Sequence, residues 1–143
     1  MTPLQRFALA LAVLAGLCAS AAAQDMAAEV SRYRRAQGLS PVRMDAALTR
    51  LAQQQAAAMA AQEKVNHDAG GPFRTRVAPL RRRLAAENVA AGFLTFGETL
   101  KQWQASAGHR ENLLMPGARR IGIAAVSKPS SPYRRFWAML ITD

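Results

Sequence analysis

Seven polar residues of this chain have side chains suited to chemistry: His67, Glu87, Asn88, Ser106, His109, Glu111 and Asn112. The two histidines are the only ones present and stand 42 positions apart, so no local metal motif such as His-Glu-x-x-His exists. Any metal or acid–base site must be assembled by the fold from distant segments. His109 sits in "WQASAGHRENLL", where a Ser-Ala-Gly turn leads into an apolar helix. In a first helical turn the helix dipole disfavours a charged ring. A neutral imidazole there could bind metal or accept a hydrogen bond. A turn histidine and a helix-start histidine can equally be structural, and spacing alone does not separate the readings.

The chain has 143 residues and a net charge of +10. Its start, "MTPLQRFALALAVLAGLCASAAAQ", carries one early positive charge, an apolar run from Phe7 to about Leu17, and small residues ending in Ala21-Ala22-Ala23. This pattern reads as a signal peptide, residues 1–23, cleaved after Ala23. The apolar run is shorter than the roughly 20 residues a membrane span needs. Cleavage would leave residues 24–143, one domain with one core, and no transmembrane segment. It would also remove Cys18, the only cysteine. Thiol catalysis, thiolate metal sites and disulfide staples are then excluded. The destination is secreted or periplasmic.

Sixteen of the nineteen basic residues are arginine, with clusters at 34–35, 81–83, 119–120 and 134–135. Such a surface could contact anionic head groups or envelope polymers. It also reads simply as solvated arginine on an alanine-rich chain. Nucleic acid is not an expected partner, because export removes the chain from it and no aromatic-interleaved basic motif occurs.

Hydrophobic spacing sets out the elements that must position the polar residues. A helix over 26–37 turns Val30 and Tyr33 inward and ends at Gly38. A long helix from about Asp45 to Ala61 places Leu48, Leu51, Ala52, Gln55 and Met59 on one stripe. "NHDAGGPF" is a turn, and a short basic helix over 73–84 follows. "ENVAAGF" is a buried extended segment. Thr95 with Glu98 forms a capping box opening a helix with Leu100 and Trp103 inward. Ser106 ends that helix and caps the next, which buries Leu113 and Leu114 and stops at Pro116-Gly117. Arg120–Val126 and Arg135–Ile141 are strands of an antiparallel hairpin. Helices precede strands, an α+β order.

Four blocks, in this order, give the chain a resemblance to the CAP superfamily (SCP/TAPS; cysteine-rich secretory, antigen 5, pathogenesis-related 1), and to its small secreted bacterial members in particular. They are "LAQQQAAAMAAQEKVNHD", "AAENVAAG" with Ala86 where the family has glycine, "WQASAGHRENLLMPGARRIGIA", and "RRFWAMLI". Together they cover nearly all of residues 26–143. The resemblance implies a three-layer α-β-α sandwich with a central antiparallel sheet, and a solvent-accessible cavity built from histidines and acidic residues. Matched by position, His67 and His109 are the cavity histidines and Glu87 is the glutamate of the Glu-Asn block. Two imidazoles and a carboxylate suit divalent zinc. Ser106 stands where animal and plant members often carry a second glutamate, and a hydroxyl does not replace a carboxylate as a base or strong cation ligand. Gly108 is read as letting the backbone turn so that His109 faces the cavity. Trp103 is read as packing beneath the site, with Asn88 and Asn112 bracing the backbone around it.

Three function classes follow. The leading one is an exported binding module whose cavity, lined by His67, Glu87, Ser106 and His109, takes a divalent metal, a small extracellular ligand (lipid, peptide or glycan), or both. The second is a metal- or His-assisted hydrolase of peptide or cell-wall material, with Glu87 accepting a proton from water. The third is a basic envelope-associated protein that binds anionic surfaces. Whether the chain is an enzyme is left open, with binding favoured.

Overall fold

The computed structural model describes residues 22–143; the expected signal segment lies almost wholly outside the described residues. A first helix, α1 (residues 22–36), ends in a left-handed Gly38, φ 74°, whose N–H bonds the Arg35 carbonyl while Leu39 N–H returns to Arg34. Glycine reaches this conformation without Cβ strain, so the chain reverses there. A two-residue strand β1 (Arg43–Met44) leads into α2 (Ala46–Gln62). Asp45 caps α2 by accepting hydrogen bonds from the Ala47 and Leu48 amides.

The predicted basic helix over 73–84 is shorter than its composition suggested. It is α3 (Phe73–Val77), then one 3-10 turn over Ala78–Leu80, stopped by a left-handed Arg81. Pro79 has no N–H to donate to a continuing α-helix. Strand β2 (Ala85–Ala91) follows, then α4 (Phe96–Ala105), α5 (Ala107–Leu113), β3 (Arg120–Lys128) and β4 (Arg134–Thr142). The Thr95–Glu98 capping box opens α4.

The sheet runs β1-β3-β4-β2. Its three long strands are antiparallel neighbours, and only the short β1 joins in parallel, against β3. Alternation along the strands divides the interior into two cores. On one face Ile121, Ile123, Trp137, Met139 and Ile141 pack with Val30 of α1, Phe96, Leu100 and Trp103 of α4, and Leu113 of α5. On the other, Val89, Ala124, Phe136, Ala138 and Leu140 pack against Leu48, Ala52, Ala56 and Met59 of α2. The result is the three-layer α-β-α sandwich of the α+β class.

One close approach fixes the α2 layer. A Cβ on Gly122 of β3 would lie 2.2 Å from the Leu48 carbonyl carbon and the Thr49 nitrogen, so helix backbone rests directly on the strand. The opposite layer is held by Arg34, whose side chain is fully buried. Its guanidinium donates to the carbonyls of Ser40, Leu113, Met115 and Ala118, tying α1 to the turn that ends α5. The reading of the 34–35 cluster as solvated therefore fails at Arg34: a planar five-donor fork can satisfy several carbonyls at once.

Candidate functional site

Strand β2 is an edge of the sheet, and its outer side is where the two helical layers come together. Glu87 and Asn88 are neighbours on it and project to opposite faces. Glu87 turns towards the α2 layer. The loop after α2 delivers His67, whose Nδ1 lies 3.0 Å from Glu87 Oε1. Arg76 of α3 donates from Nη2 to Glu87 Oε2 at 2.8 Å. The Glu87 side chain is 2% exposed and that of Arg76 7%, whereas His67 is 54% exposed. A buried carboxylate thus joins a buried guanidinium to an imidazole at the surface.

Asn88 turns to the other layer and donates to the backbone carbonyl of His109, 3.0 Å away. Asn112 donates from Nδ2 to Asn88 Oδ1 and to the Glu87 carbonyl. The Trp103 indole N–H reaches the Val89 carbonyl at 3.4 Å, and its ring centroid lies 6.5 Å from that of His109. Asn112 and Trp103 therefore occupy acceptors on a strand edge that would otherwise be open to another strand.

The two imidazoles are biased in opposite directions. The hydrogen bond with Glu87 chiefly, aided by its charge and opposed by burial, raises His67 above the ordinary histidine value. Burial first, and then the charge on His67, push His109 below it. Of the two rings, His67 is therefore the one biased towards its protonated form and His109 the one biased towards its neutral form. The direction at His109 is the one expected for a ring in the first turn of a helix, and burial and the neighbouring His67 both act in that sense. His109 Nδ1 is buried without a hydrogen-bond partner among the described residues.

Two sequence expectations change. Ser106 occupies the N-cap position of α5, but its side chain makes no capping bond. The helix starts there through its backbone, with Arg110 N–H donating to the Ser106 carbonyl at 2.8 Å. Gly108 lies inside α5 with an ordinary negative φ and open space where a Cβ would go, so no tight turn depends on it.

Two residues outside the sequence-derived set help build the site. Gln55, fully buried on the α2 stripe, donates to the carbonyls of Asn66 and His67 and accepts from the Gly70 amide. It is the bracket that holds the His67 loop. Arg76 adds bonds to the Gly71 and His67 carbonyls and stacks 5.6 Å from the Phe73 ring centre. A polar residue in an otherwise apolar stripe was a readable sign for Gln55, since burial demands partners. Arg76 was one arginine among sixteen.

The arrangement does not suit the expected zinc ion on His67, His109 and Glu87. Among the described residues no three His, Cys, Asp or Glu side chains gather as a metal would require. Arg76 also places a permanent positive charge on the carboxylate that the ion would need.

A sequence model of the cysteine-rich secretory protein family, CAP, matches residues 27–141. An uncharacterized protein of Bacillus subtilis, YkwD, is 33% identical over 101 residues, which is 68% of this chain and 39% of that protein. The chain thus spans about two fifths of that relative's length. An SCP-domain extracellular protein from Bacillus anthracis superposes with a TM-score of 0.72 at 22% identity, covering 86% of this chain and 40% of that one. An outer surface protein of Borrelia burgdorferi gives 0.71 at 18% identity, covering 81% and 87% respectively. Among the described residues no helix is long and apolar enough to cross a membrane. With its blocks in family order and its sandwich matched by solved SCP domains, the chain belongs to the CAP, or cysteine-rich secretory protein, family.

Proposed function

We propose that this protein is an exported binding module that captures a small extracellular peptide or glycan through a hydrogen-bond acceptor, a carbonyl or carboxylate, at the His67–Glu87–His109 cluster. The observation that carries the reading is the pairing of exposed His67 with buried Glu87. Nδ1 is engaged at 3.0 Å, which leaves Nε2–H of a ring biased towards its charged form as the donor offered outward. His109, whose charged form is disfavoured by burial and by the His67 charge, adds a second imidazole on the α5 side of β2. Export is supported by the similar solved proteins, one an extracellular protein of B. anthracis and one a cysteine-rich secretory protein of Staphylococcus aureus.

The hydrolase reading is weaker on geometry. A general base must reach the proton it removes. Glu87 is almost fully buried and each of its oxygens already has a partner, one the His67 ring and the other the Arg76 guanidinium. The carboxylate orients a donor and is poorly placed to accept a proton from water.

The test uses the two histidines as built-in reporters. Acetate and N-acetyl-Ala-Ala are titrated while the ring C–H resonances are followed by NMR. Saturable shifts of the His67 signal with a smaller response at His109, and loss of that His109 response to the peptide in His67→Gln, support the reading. Shifts absent with both probes overturn it. Zinc that moves both signals at stoichiometric concentration would also overturn it, in favour of a metal site.

A further inference from the structure

A concentration of unneutralised charge lies away from the histidine cluster, beside the β1 edge of the sheet. A groove of about 420 Å³ is lined there by Arg43, Arg82, Arg119 and Arg120, with Asp143 at one side. That volume falls in the usual small-molecule range of roughly 300–1,000 Å³. Of the local carboxylates, Asp45 pairs with Arg120 at 3.1 Å. Asp143 accepts from the Leu84 amide and approaches Arg83 at 3.5 Å. Arg43, Arg82 and Arg119 have no carboxylate partner among the described residues.

The ground beneath the groove is positive as well. Arg34 is fully buried, bonds only to carbonyls, and has no counter-ion among the described residues. Burial, and next the charge of Arg119, push its guanidinium below its usual value. The groove's arginines also start from a fixed frame. Arg43 and Arg120 are paired in the β1–β3 register, Arg43 N–H donates to the Arg119 carbonyl, and Arg119 N–H donates to the Thr142 carbonyl. Guanidinium forks on a rigid backbone favour planar or tetrahedral oxyanions, which accept two parallel N–H bonds from each fork.

We propose that the groove between β1 and the 81–84 segment is a binding site for a phosphate ester, with Arg43, Arg82 and Arg119 as its ligating side chains. A phosphate carries enough charge to engage three guanidiniums, and Asp143 leaves an acceptor for a hydroxyl on the ester's alcohol. The site stands independently of the His67 cluster. A free phosphate ester and a phospholipid head group share this chemistry, and the experiment separates them.

Glycerol 3-phosphate is titrated into the protein by calorimetry, in parallel with sedimentation on phosphatidylglycerol and phosphatidylcholine vesicles. The double variant Arg43→Gln/Arg119→Gln is compared with Arg50→Gln/Arg74→Gln, which removes equal charge from exposed positions outside the groove. Saturable one-to-one binding, weakened about tenfold or more by the groove variant and within about twofold in the other, supports the site. Retention on phosphatidylglycerol vesicles that glycerol 3-phosphate reverses then identifies a head group, and its absence a free ester. Equal losses in both double variants would reduce the effect to overall charge and overturn the proposal, as would binding that never saturates. His67→Gln should leave this binding unchanged, so its outcome is independent of the histidine cluster's.

Discussion

His67 and His109 differ in what surrounds their rings, and the difference has a sign. Protonated His67 is favoured in the folded state, so its stabilising contribution is full below about pH 6.5 and fades as pH rises through its raised folded value. Protonation of His109 is disfavoured, so its contribution is full above about 6.5 and is lost as pH falls through its lowered folded value. Near the ordinary value both are largely intact, and the pair by itself gives a shallow optimum there. The melting temperature of His67→Gln should lose the alkaline decline and keep the acid one. In an NMR titration the His67 ring should change protonation state at higher pH than the His109 ring. The reverse order would show that Glu87 does not control His67. At this scale the arginines are not interchangeable. Arg34 is buried on backbone carbonyls and Arg76 is buried against Glu87, whereas Arg43 and Arg119 are exposed with no carboxylate partner among the described residues.

The elements are placed by a few contacts whose sensitivity can be measured. Gly122→Ala would put a methyl group into the α2 backbone, which cannot yield as a side chain would. It should cost about 3 kcal/mol, towards the upper end for an overpacked core, and lower the chemical-denaturation midpoint. Gly108→Ala has open space and helical backbone, so it should be neutral or stabilise by up to about 1 kcal/mol. Equal losses at the two glycines would refute this placement of α2. The contrast also marks what the sequence could say. The α2 stripe and the α4 capping box were legible because period and cap chemistry are local. The crossing of α2 over Gly122 was not, since nothing near that residue names the backbone above it. Gly108 looked decisive beside a histidine, and its surroundings are undemanding. His67, Glu87 and His109 could be grouped only through resemblance, because 20 and 42 residues separate them from His67 and only the β2 edge brings the segments close. The roles of Arg34 and Arg76 were hidden by an arginine-rich composition.

Across the whole molecule, two cores back onto one sheet, and the described residues contain no cysteine to tie the layers together. Cohesion falls to packing and to polar ties at the ends and edges: Arg34 beneath α1 and α5, and the Glu87–Asn88 pair on β2. The pair's two side chains leave the strand in opposite directions, one gripping the α2–α3 side and the other the α5 side. An occupant held at this seam would act as a rivet through both helical layers. Amide exchange should then slow together in the 66–71 loop and in α5, two regions with no helix in common, when N-acetyl-Ala-Ala is present. Slowing confined to one side would mean that the ligand leans on a single layer, and that the seam is a coincidence of folding.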